Sequence, residues 1–375
     1  MIRYVAHEPQ FSHFKNVSAN HVVVGLSGGV DSAVAALLLK QQGYDVEGIF
    51  MKNWDEDDGT EYCTAIQDFE DAQRVADRIG IPLRTINFAA EYWDDVFEEF
   101  LAEYTAGRTP NPDVLCNRHI KFAVFQDYAQ AQGADWIATG HYARLKHDAM
   151  PKELHRAADL NKDQTYFLQA VPLQRFERCL FPLADMNKQQ VREKAKHAKL
   201  HVCDKKDSTG ICFIGERRFA DFLNRYIAKR PGPIRDTDGC EIGEHIGLAY
   251  YTLGQRQGLG IGGRREALES PWYVKSKHMD TNVLEVTQDE RDLLAQALVA
   301  DQPNFLVENH ASISRCEGTI RYRAEPMPCT IEIDKTDVYV TFDEPQRAIA
   351  PGQYVAFYDG SHCLGGAKIR DVMTP

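Results

Sequence analysis

The sequence predicts an α/β protein built on a parallel sheet, followed by a smaller antiparallel β-barrel. Over about the first 140 residues, short β-branched runs alternate with stretches in which apolar residues recur at helical spacing. Strands separated by helices of this length are typical of βαβ units, whose strands pair in parallel. From about residue 282 the helical signals become rare, and short alternating runs bounded by Pro, Gly and Asp replace them. Such runs favour a small antiparallel barrel.

Each element of the α/β region has its own signal. Apolar or β-branched runs predict strands at residues 21–26, 45–51, 83–88 and 135–139. Helical spacing predicts helices at residues 32–42, 64–79, 91–104 and 117–132. Gly43 marks the end of the first helix, and the two prolines of residues 109–113 predict a loop there.

The rest of the chain is less regular until the barrel. Residues 230–233, Arg-Pro-Gly-Pro, predict a linker, and the glycine-rich residues 251–263 predict a loop. Barrel strands are predicted at residues 319–324, 330–333, 338–342 and 354–358.

Composition excludes several classes of protein. The 375 residues carry 43 Lys and Arg against 55 Asp and Glu, a net charge of −12, which disfavours a polycation that coats nucleic acid but permits a local basic face. No apolar run reaches the roughly 18 residues of a membrane span, and residues 1–20 lack the apolar segment of a signal peptide. We therefore expect a cytoplasmic protein with no membrane partner.

Cysteine usage does not predict a disulfide framework or a cysteine metal centre. The nine cysteines are odd in number and widely spaced, and no Cys-x-x-Cys pair occurs. We assign no protein metal site from the sequence and expect most of these thiols to be small buried side chains.

A candidate phosphate loop, Leu26-Ser-Gly-Gly-Val-Asp-Ser32, follows the first predicted strand and opens the first predicted helix. Its glycines allow backbone N–H groups to turn inward, Ser27 and Ser32 add hydroxyl donors, and the helix N-terminus favours an anion. The alternative is an ordinary strand–turn–helix corner capped by Asp31 or Ser32. The loop lacks the GxxxxGK[ST] pattern of a Walker A motif.

Two cysteines lie in segments that suit a reactive thiol. Asp113 precedes Cys116 by three residues, and Cys116 is predicted to begin a helix, whose N-terminus favours a thiolate. The alternative is a buried Cys116 beside an N-capping Asn117. Cys212 lies in a glycine-punctuated segment after two lysines, which suits an accessible thiol, although its apolar neighbours also permit a buried one.

Five motifs occur together in the chain. They are SGGVDS at 27–32, NPDVLCN at 111–117, GHYAR at 140–144, KDQTYFL at 162–168 and DSTGICFIG at 207–215. The set resembles the bacterial tRNA-specific 2-thiouridylases of the N-type ATP pyrophosphatase (PP-loop) superfamily, over nearly the whole chain. The resemblance implies a Rossmann-like catalytic domain of the adenine nucleotide alpha hydrolase type at residues 1–217, a central tRNA-binding domain at 218–285 and a β-barrel domain at 286–375.

The resemblance also implies the reaction, which is ATP-dependent 2-thiolation of the wobble uridine of tRNA. Adenylation of the C2 oxygen releases pyrophosphate, and sulfur then displaces AMP to give 2-thiouridine. Cys212 would carry a persulfide, Cys116 would be the nucleophile or resolving thiol, and Asp113 would be an acid or base. An order in which Cys116 first releases hydrogen sulfide stays open.

The family pattern assigns further site residues. For ATP and its Mg²⁺ they are Gly25, Leu26, Ser27, Gly28, Gly29, Val30, Asp31, Ser32, Met51 and Gly140. For tRNA and its target base they are Asn111, Pro112, Asp113, His141, Lys162, Asp163, Gln164, Tyr322, Arg323 and Gln353. From pattern alone, Met51 could instead belong to the core, and Tyr322 and Arg323 could lie on one strand with an exposed arginine.

The implied partners are the tRNAs for Lys, Glu and Gln and a sulfur-relay protein or cysteine desulfurase as persulfide donor. We add a basic stripe formed by Lys188, Arg192, Lys196 and Lys199, whose spacing places them on one helix face. The stripe is a candidate contact for tRNA phosphates, and a solvated helix face is the alternative.

Two other functions are compatible with a phosphate loop. A synthetase that activates a small molecule for ammonia, such as a GMP or asparagine synthetase, would leave the two cysteines unexplained, and no glutaminase nucleophile motif is present. An RNA-binding protein with a vestigial nucleotide site is disfavoured by the net charge of −12 and the intact loop. Release of pyrophosphate that depends on tRNA would separate the three.

Overall fold

The computed structural model describes residues 21–56, 65–149, 152–207, 219–261 and 270–373. Its strands are β1 His21–Gly25, β2 Asp45–Lys52, β3 Leu83–Asn87, β4 Trp136–Ala138, β5 Ala143–Lys146, β6 Glu153–Arg156, β7 Cys179–Leu180, β8 Gly232–Arg235, β9 Glu241–His245, β10 Tyr273–His278, β11 Val283–Thr287, β12 Leu294–Phe305, β13 Arg315–Thr319, β14 Met327–Asp334, β15 Asp337–Arg347, β16 Tyr354–Asp359 and β17 His362–Met373.

The α-helices are α1 Val30–Gln41, α2 Ala65–Ile79, α3 Ala89–Tyr92, α4 Glu98–Thr105, α5 Pro112–Leu115, α6 Phe125–Ala131, α7 Thr165–Leu168, α8 Lys188–His197 and α9 Phe219–Leu223. Trp93–Phe97 and Cys116–Val124 are π-helical, and Leu173–Arg178, His201–Asp204, Leu248–Tyr250, Glu290–Leu293 and His310–Ser312 are 3₁₀-helical. Among these helices none is long and apolar enough to cross a membrane.

The first sheet confirms the predicted α/β arrangement. Its order is β3-β2-β1-β4-β7, with parallel pairing throughout. Val22 and Val24 point to a core with α1, α2 and α8, whereas Val23 points to a core with α3 to α6. Both faces of β1 are buried, which explains its continuous run of valines.

The chain around the prolines differs from the sequence prediction. Residues 109–113 were expected to be loop and residue 117 to start a helix, but α5 begins at Pro112 with Asn111 as its N-cap. Proline is favourable at the first helical position because its missing N–H has no intrahelical acceptor there. A π-helical segment with a kink at Phe122 then leads into α6, which ends at Ala131.

The second sheet has the order β10-β11-β8-β9. The predicted linker at residues 230–233 overlaps β8, which pairs in parallel with β11 and antiparallel with β9. Ile234 and Leu284 belong to the core that continues under the first sheet.

The third sheet contains the predicted antiparallel barrel, and the predicted fold class is confirmed. Six strands close in the order β12-β15-β14-β13-β16-β17, because β12 pairs with both β15 and β17. The predicted strand at 319–324 is wrong, since β13 ends at Thr319 and a turn follows. Hairpin β5–β6, from the first half of the chain, extends this sheet by pairing with β17.

Candidate active site

The phosphate loop lies between β1 and α1, at the carboxyl edge of the parallel sheet. β2 pairs with one side of β1 and β4 with the other, so the crevice beyond β1 and β4 is a topological switch point. Ligands of open α/β sheets bind at such points. Gly140 follows β4 there, and a Cβ at this position would lie 2.7 Å from the Ser32 nitrogen. The sequence motifs around residues 27 and 140 therefore form one site.

A close backbone contact and a serine hydroxyl fix the conformation of the loop. Gly28 has φ of 73°, a conformation that favours glycine, and a Cβ there would clash with the Asp68 carbonyl. The Ser32 hydroxyl accepts the Ser27 N–H at 3.2 Å and donates to the Gly29 carbonyl at 3.2 Å. Gly29 is the N-cap of α1, so the expected alternative of a cap by Asp31 or Ser32 is wrong. The first N–H groups of a helix lack intrahelical acceptors and can bind an anion.

Asp31 is held by a lysine from a distant helix. Lys188 Nζ lies 2.8 Å from both Asp31 carboxylate oxygens and 2.6 Å from Asp207 Oδ1. The Tyr142 hydroxyl donates to Asp31 at 2.8 Å. Burial, and then the negative charge of Asp31, raise the pKa of Tyr142, so this hydroxyl keeps its proton. Lys188 thus bridges the phosphate loop to Asp207, the first residue of the motif that contains Cys212.

Lys205 makes a second link to the loop. Its Nζ donates to the Gly28 carbonyl at 3.1 Å and to Asp68 and Asp71 at 2.7 Å each. Burial by itself would raise the pKa of Asp71, but hydrogen bonds from Lys205 and His201 outweigh burial and lower it. Asp71 is therefore a carboxylate that fixes the lysine beside the loop.

The predicted basic stripe is wrong as a continuous face. Arg192 donates to the Cys203 and Lys205 carbonyls, at 2.7 and 3.0 Å. Lys199 lies beyond the end of α8 with φ of 57°. Only Lys196 and Lys199 of the four stripe residues are exposed, while Lys188 and Arg192 face the phosphate-loop side.

Cys116 directly follows α5, about one turn from its start. This corrects the prediction that Cys116 begins the helix and weakens the dipole argument, because that effect declines beyond the first turn. Its side chain is 5% exposed. The alternative N-cap, Asn117, is instead buried and donates to the Phe167 carbonyl at 3.2 Å.

Asp113 lies in the first turn of α5, just after Pro112. Burial raises the pKa of its carboxyl, and Lys121 opposes that shift. A carboxyl with a raised pKa suits proton transfer near neutral pH. Asp113 and Cys116 thus lie on one helical turn, where burial limits their contact with water.

The barrel reaches this turn through Gln353. Its Nε2 donates to the Thr109 and Pro110 carbonyls at 3.0 Å, and its Oε1 accepts from Asn111 Nδ2 at 3.2 Å. The Asn111 side chain also accepts the Val114 N–H at 3.3 Å as the cap of α5. Two residues assigned to tRNA, 242 positions apart, therefore lie in contact.

Three further residues assigned to tRNA, Tyr322, Arg323 and Lys162, have their own contacts. Tyr322 packs on Phe167 with ring centroids 4.6 Å apart, and the Arg323 guanidinium lies 4.9 Å from the Tyr322 ring. Both follow β13 in a turn, with φ of 62° at Arg323, so the expected alternating strand is wrong. Lys162 Nζ lies 2.5 Å from Asp207 Oδ2.

Three of the residues assigned to tRNA bind the protein itself. His141 is buried, its Nδ1 lies 2.7 Å from the Thr139 hydroxyl, and burial lowers its pKa well below the usual value. Asp163 accepts the Ala157 N–H at 3.0 Å and the Thr165 hydroxyl at 2.6 Å. Gln164 accepts the Tyr142 N–H at 2.9 Å. These contacts favour a supporting role for all three.

Met51 lies at the carboxyl end of β2, and its Cε would be 3.2 Å from a Cβ on Gly25. The side chain is half-buried, so it lines the edge of the loop crevice while touching the core. Leu26 and Val30 are buried and anchor the loop from below. Cys212 lies outside the described residues.

Sequence reasoning missed the charged partners of the loop. Tyr142 and Asp207 lie inside motifs that were recognised, so the motifs contained the signal. Lys188 was assigned to a tRNA-facing stripe, and Lys205 was noted only as a positive neighbour of Cys212. The bonds of these lysines to residues 31, 68 and 71 have no local signal because more than 130 positions separate the partners.

Three family profiles match the chain in succession. They are the tRNA methyl transferase HUP domain over residues 20–216, the tRNA methyl transferase PRC-barrel domain over 220–288 and the aminomethyltransferase beta-barrel domain over 295–369. A 4-thiouridine synthetase–RNA complex with bound ATP is 17% identical, covering 55% of this chain and 50% of that chain, with a TM-score of 0.34. That likeness is too distant to carry an argument.

Curated relatives are much closer. The tRNA-specific 2-thiouridylase MnmA of Pseudomonas fluorescens (strain SBW25) is 57% identical over 354 residues, which are 93% of this chain and 94% of that protein. The protein of the same name from Pseudomonas aeruginosa (strain UCBPP-PA14) is also 57% identical, with the same coverage. With this identity over almost the full length, the chain belongs to the tRNA-specific 2-thiouridylase family.

Proposed function

We propose that this chain is an ATP-dependent tRNA sulfurtransferase that converts the wobble uridine to 2-thiouridine, with release of AMP and pyrophosphate. Family membership supports the reaction class. The observation that carries the proposal is the position of the phosphate loop at the topological switch point of the sheet. Lys188 connects this loop to Asp207, where the Cys212 motif begins. A tRNA substrate agrees with a cytoplasmic location.

The loop would bind the phosphates of ATP while the uridine C2 oxygen attacks the α-phosphorus. Backbone N–H groups of residues 28–32 and the N-terminus of α1 oppose the negative charge of the phosphates. Met51, at the edge of the crevice, would pack on adenine. Pyrophosphate leaves, and the uridine retains AMP on O2.

Asp31 fits a Mg²⁺ role. Its carboxylate lies in the first turn of α1 and already neutralises a cation, the Lys188 ammonium, at 2.8 Å. Mg²⁺ prefers carboxylate and phosphate oxygens, and it would supply charge neutralisation of the pyrophosphate. Lys188 and Lys205 would turn toward the phosphates or remain as counterions of the acidic residues.

Sulfur transfer would use the two cysteines. The terminal sulfur of a Cys212 persulfide attacks C2, AMP leaves, and the base becomes linked to Cys212 through a disulfide. The Cys116 thiolate then attacks the Cys212 sulfur, which frees the thiocarbonyl base and leaves a Cys116–Cys212 disulfide. Asp113 would accept or return the uridine N3 proton. An external thiol would reduce the disulfide before the next turnover.

The target base must leave its stack to reach the half-buried Asp113 and the buried Cys116. We propose that Asn111, Pro112 and Gln353 border the flipped base and that Tyr322, Arg323 and Lys162 contact neighbouring nucleotides. The Tyr322 ring packs against Phe167 at an interplanar angle of 48° and offers an aromatic surface of the kind on which RNA-binding proteins stack bases. The substrates would be the tRNAs for Lys, Glu and Gln, and a sulfur-relay protein or cysteine desulfurase would load Cys212.

The test combines two measurements on the full chain with unmodified tRNA, ATP, Mg²⁺ and a persulfide donor, a cysteine desulfurase supplied with cysteine. Mass spectrometry of tRNA nucleosides should show 2-thiouridine, and pyrophosphate release should require tRNA. Asp31→Asn should abolish both, whereas Asp127→Asn, which removes a surface partner of Arg175, should abolish neither. Pyrophosphate release without tRNA, or no 2-thiouridine with wild-type protein, would contradict the proposal.

A further inference from the structure

A second cluster of chemistry-bearing side chains lies where hairpin β5–β6 meets strand β17. Glu153, His155 and His362 each offer a ligand atom, and these atoms lie within 4.8 Å of one another. The two imidazole rings are stacked, with centroids 4.8 Å and planes 15° apart. Two imidazoles and one carboxylate form a donor set that Zn²⁺ uses when three ligands come from protein.

His155 is held in a way that suits a metal ligand. Its Nε2 lies 2.7 Å from Glu153 Oε2, and its Nδ1 lies 3.0 Å from the Ser361 hydroxyl. A carboxylate only accepts, so Nε2–H donates to Glu153 and Nδ1 accepts from the Ser361 hydroxyl. A metal ion at Nε2 would take the place of that proton, and Nδ1 could then carry a proton and donate to Ser361, because a hydroxyl can also accept. Metal-binding histidines commonly have such a partner on the second nitrogen.

One ring nitrogen of His362 lacks a hydrogen-bond partner among the described residues. This nitrogen, Nε2, is buried. Buried polar atoms are nearly always satisfied, so this nitrogen requires an explanation.

We propose that Glu153, His155 and His362 bind one divalent transition metal ion, with Zn²⁺ as the best chemical match, and that the ion fastens the hairpin to the barrel. The direct pairing of β6 with β17 is short, with one register pair, His155 with His362, and one further bond from Arg156 N–H to the Ser361 carbonyl at 2.8 Å. A bound ion would join the two ligands of β6 to the one ligand of β17.

Lys146 is the resident cation that the metal would displace. Its Nζ lies 3.0 Å from Glu153 Oε2, the same oxygen that contacts His155. Both Lys146 and Glu153 are partly exposed, so this ion pair is weak and exchange with a metal is feasible. The proposal does not depend on tRNA thiolation, because the cluster shares no residue with the phosphate loop or the Asp113 turn.

The test uses the full chain after treatment with a chelator and a reductant. Equilibrium dialysis against Zn²⁺ should show one bound equivalent that is lost in His362→Ala. Co²⁺ in place of Zn²⁺ should give the weak visible bands of nitrogen and oxygen ligation without the intense ultraviolet band of a cobalt–thiolate bond. Zn²⁺ should also raise the midpoint of thermal unfolding of the wild type, since a ligand of the folded state stabilises it.

Two further variants distinguish metal binding at this cluster from binding elsewhere on the chain. Glu153→Gln keeps the side-chain shape at a partly exposed position, and it should weaken binding at least tenfold. His278→Ala is the control, because His278 pairs with Glu285 at 3.0 Å and lies outside the three-ligand cluster. Absence of stoichiometric binding, a cobalt–thiolate band, or an equal loss in His278→Ala would each overturn the proposal.

Discussion

The phosphate loop and the Asp113–Cys116 turn satisfy their polar groups in opposite ways. Around the loop, acidic and basic side chains pair in a connected network, in which Lys188 and Lys205 contact carboxylates at 2.6 to 2.8 Å. Around the turn, Cys116 is buried and the Asp113 carboxyl is largely desolvated, with a raised pKa. The phosphate loop region therefore stabilises charge, and the Asp113–Cys116 turn disfavours it.

The two steps of the proposed reaction would account for this difference. Adenylation would place a triphosphate beside the loop, and compensating charges that are already in position need little reorganisation. Sulfur transfer would need a nucleophile and a proton acceptor shielded from water, because water would compete for the adenylated base. Substitutions at the phosphate loop should therefore impair adenylation, whereas substitutions in the Asp113–Cys116 turn should impair sulfur transfer.

The largest effect is expected for Cys116→Ser. This variant should release pyrophosphate with tRNA at a near-normal first turnover, because the phosphate loop region is intact. It should lose thiolation by a factor on the order of 10⁴ or more, since a hydroxyl cannot resolve the persulfide-derived linkage. Nucleoside mass spectrometry and a pyrophosphate assay measure the two outcomes. Cys203→Ser, at a partly exposed thiol outside the motifs, is the control and should retain both activities.

Peptide mapping sharpens the same test. Wild type after one turnover without reductant should contain a Cys116–Cys212 disulfide. Cys316 and Cys329 face each other across β13 and β14 with sulfurs 3.7 Å apart, so this pair can also oxidise and must be mapped separately. A Cys116→Ser enzyme with near-normal thiolation would remove the resolving role of Cys116.

A smaller effect, about 10²-fold or more on thiolation, is expected for Asp113→Asn because general base catalysis contributes on this scale. The wild-type rate should fall as pH decreases through the pKa of Asp113, and that fall should begin above the usual carboxyl range because burial raises this pKa. The variant should lack this acidic limb. A pH profile with the same limb in both proteins would assign the titration to another group.

The stability of Asp113→Asn separates catalysis from folding. A carboxyl whose pKa is raised in the folded state binds its proton more tightly there than in the unfolded chain. Its contribution to stability therefore declines as pH rises, and at neutral pH ionised Asp113 disfavours the fold. Asp113→Asn should unfold at the same temperature as wild type or at a higher one. A large loss of stability would mean that the carboxyl has a structural role.

The fold could be predicted well because its signals are local. Val22 to Val24 indicate a strand buried on both faces, and the alternation of strands with helices indicates parallel pairing. The predicted secondary structure was wrong where a residue type or pattern is compatible with two local structures. Pro112 was interpreted as a helix breaker but starts α5, and residues 320–324 alternate like a strand but form a turn.

The site was only partly predictable for a related reason. The glycines at positions 28 and 140 have a local pattern, and the structure explains them by close backbone contacts. The pairing of Asp31 with Lys188, or of Asn111 with Gln353, depends on how distant segments pack, which spacing alone does not reveal. The proposed metal cluster likewise combines residues that are 207 positions apart, since 362 − 155 = 207.

Two lysines of one helix test whether the phosphate loop region serves ATP. Lys188→Met removes the bridge between Asp31 and Asp207, and the unbalanced carboxylates should repel the triphosphate. The KM for ATP should rise about 10- to 100-fold, in line with the loss of one charged hydrogen bond. Lys196→Met, on the exposed side of the same α8, should leave this KM unchanged. Equal effects would show that the overall charge of α8, and not the bridge, sets ATP affinity.

The smallest effect concerns tRNA affinity, and it uses the two stripe lysines that are exposed. If Lys196 and Lys199 contact phosphates, then Lys196→Gln with Lys199→Asn should reduce the slope of log K against log salt by about 1.4 to 1.8. Asparagine is chosen for Lys199 because φ there is 57°, a conformation that asparagine tolerates. The matched control is Lys40→Gln with Lys335→Asn, since Lys40 also ends a helix and Lys335 has φ of 55°. Binding of tRNA at several salt concentrations measures both slopes. Equal slopes in the two double variants would mean that net charge alone changed and that the end of α8 is a solvated surface.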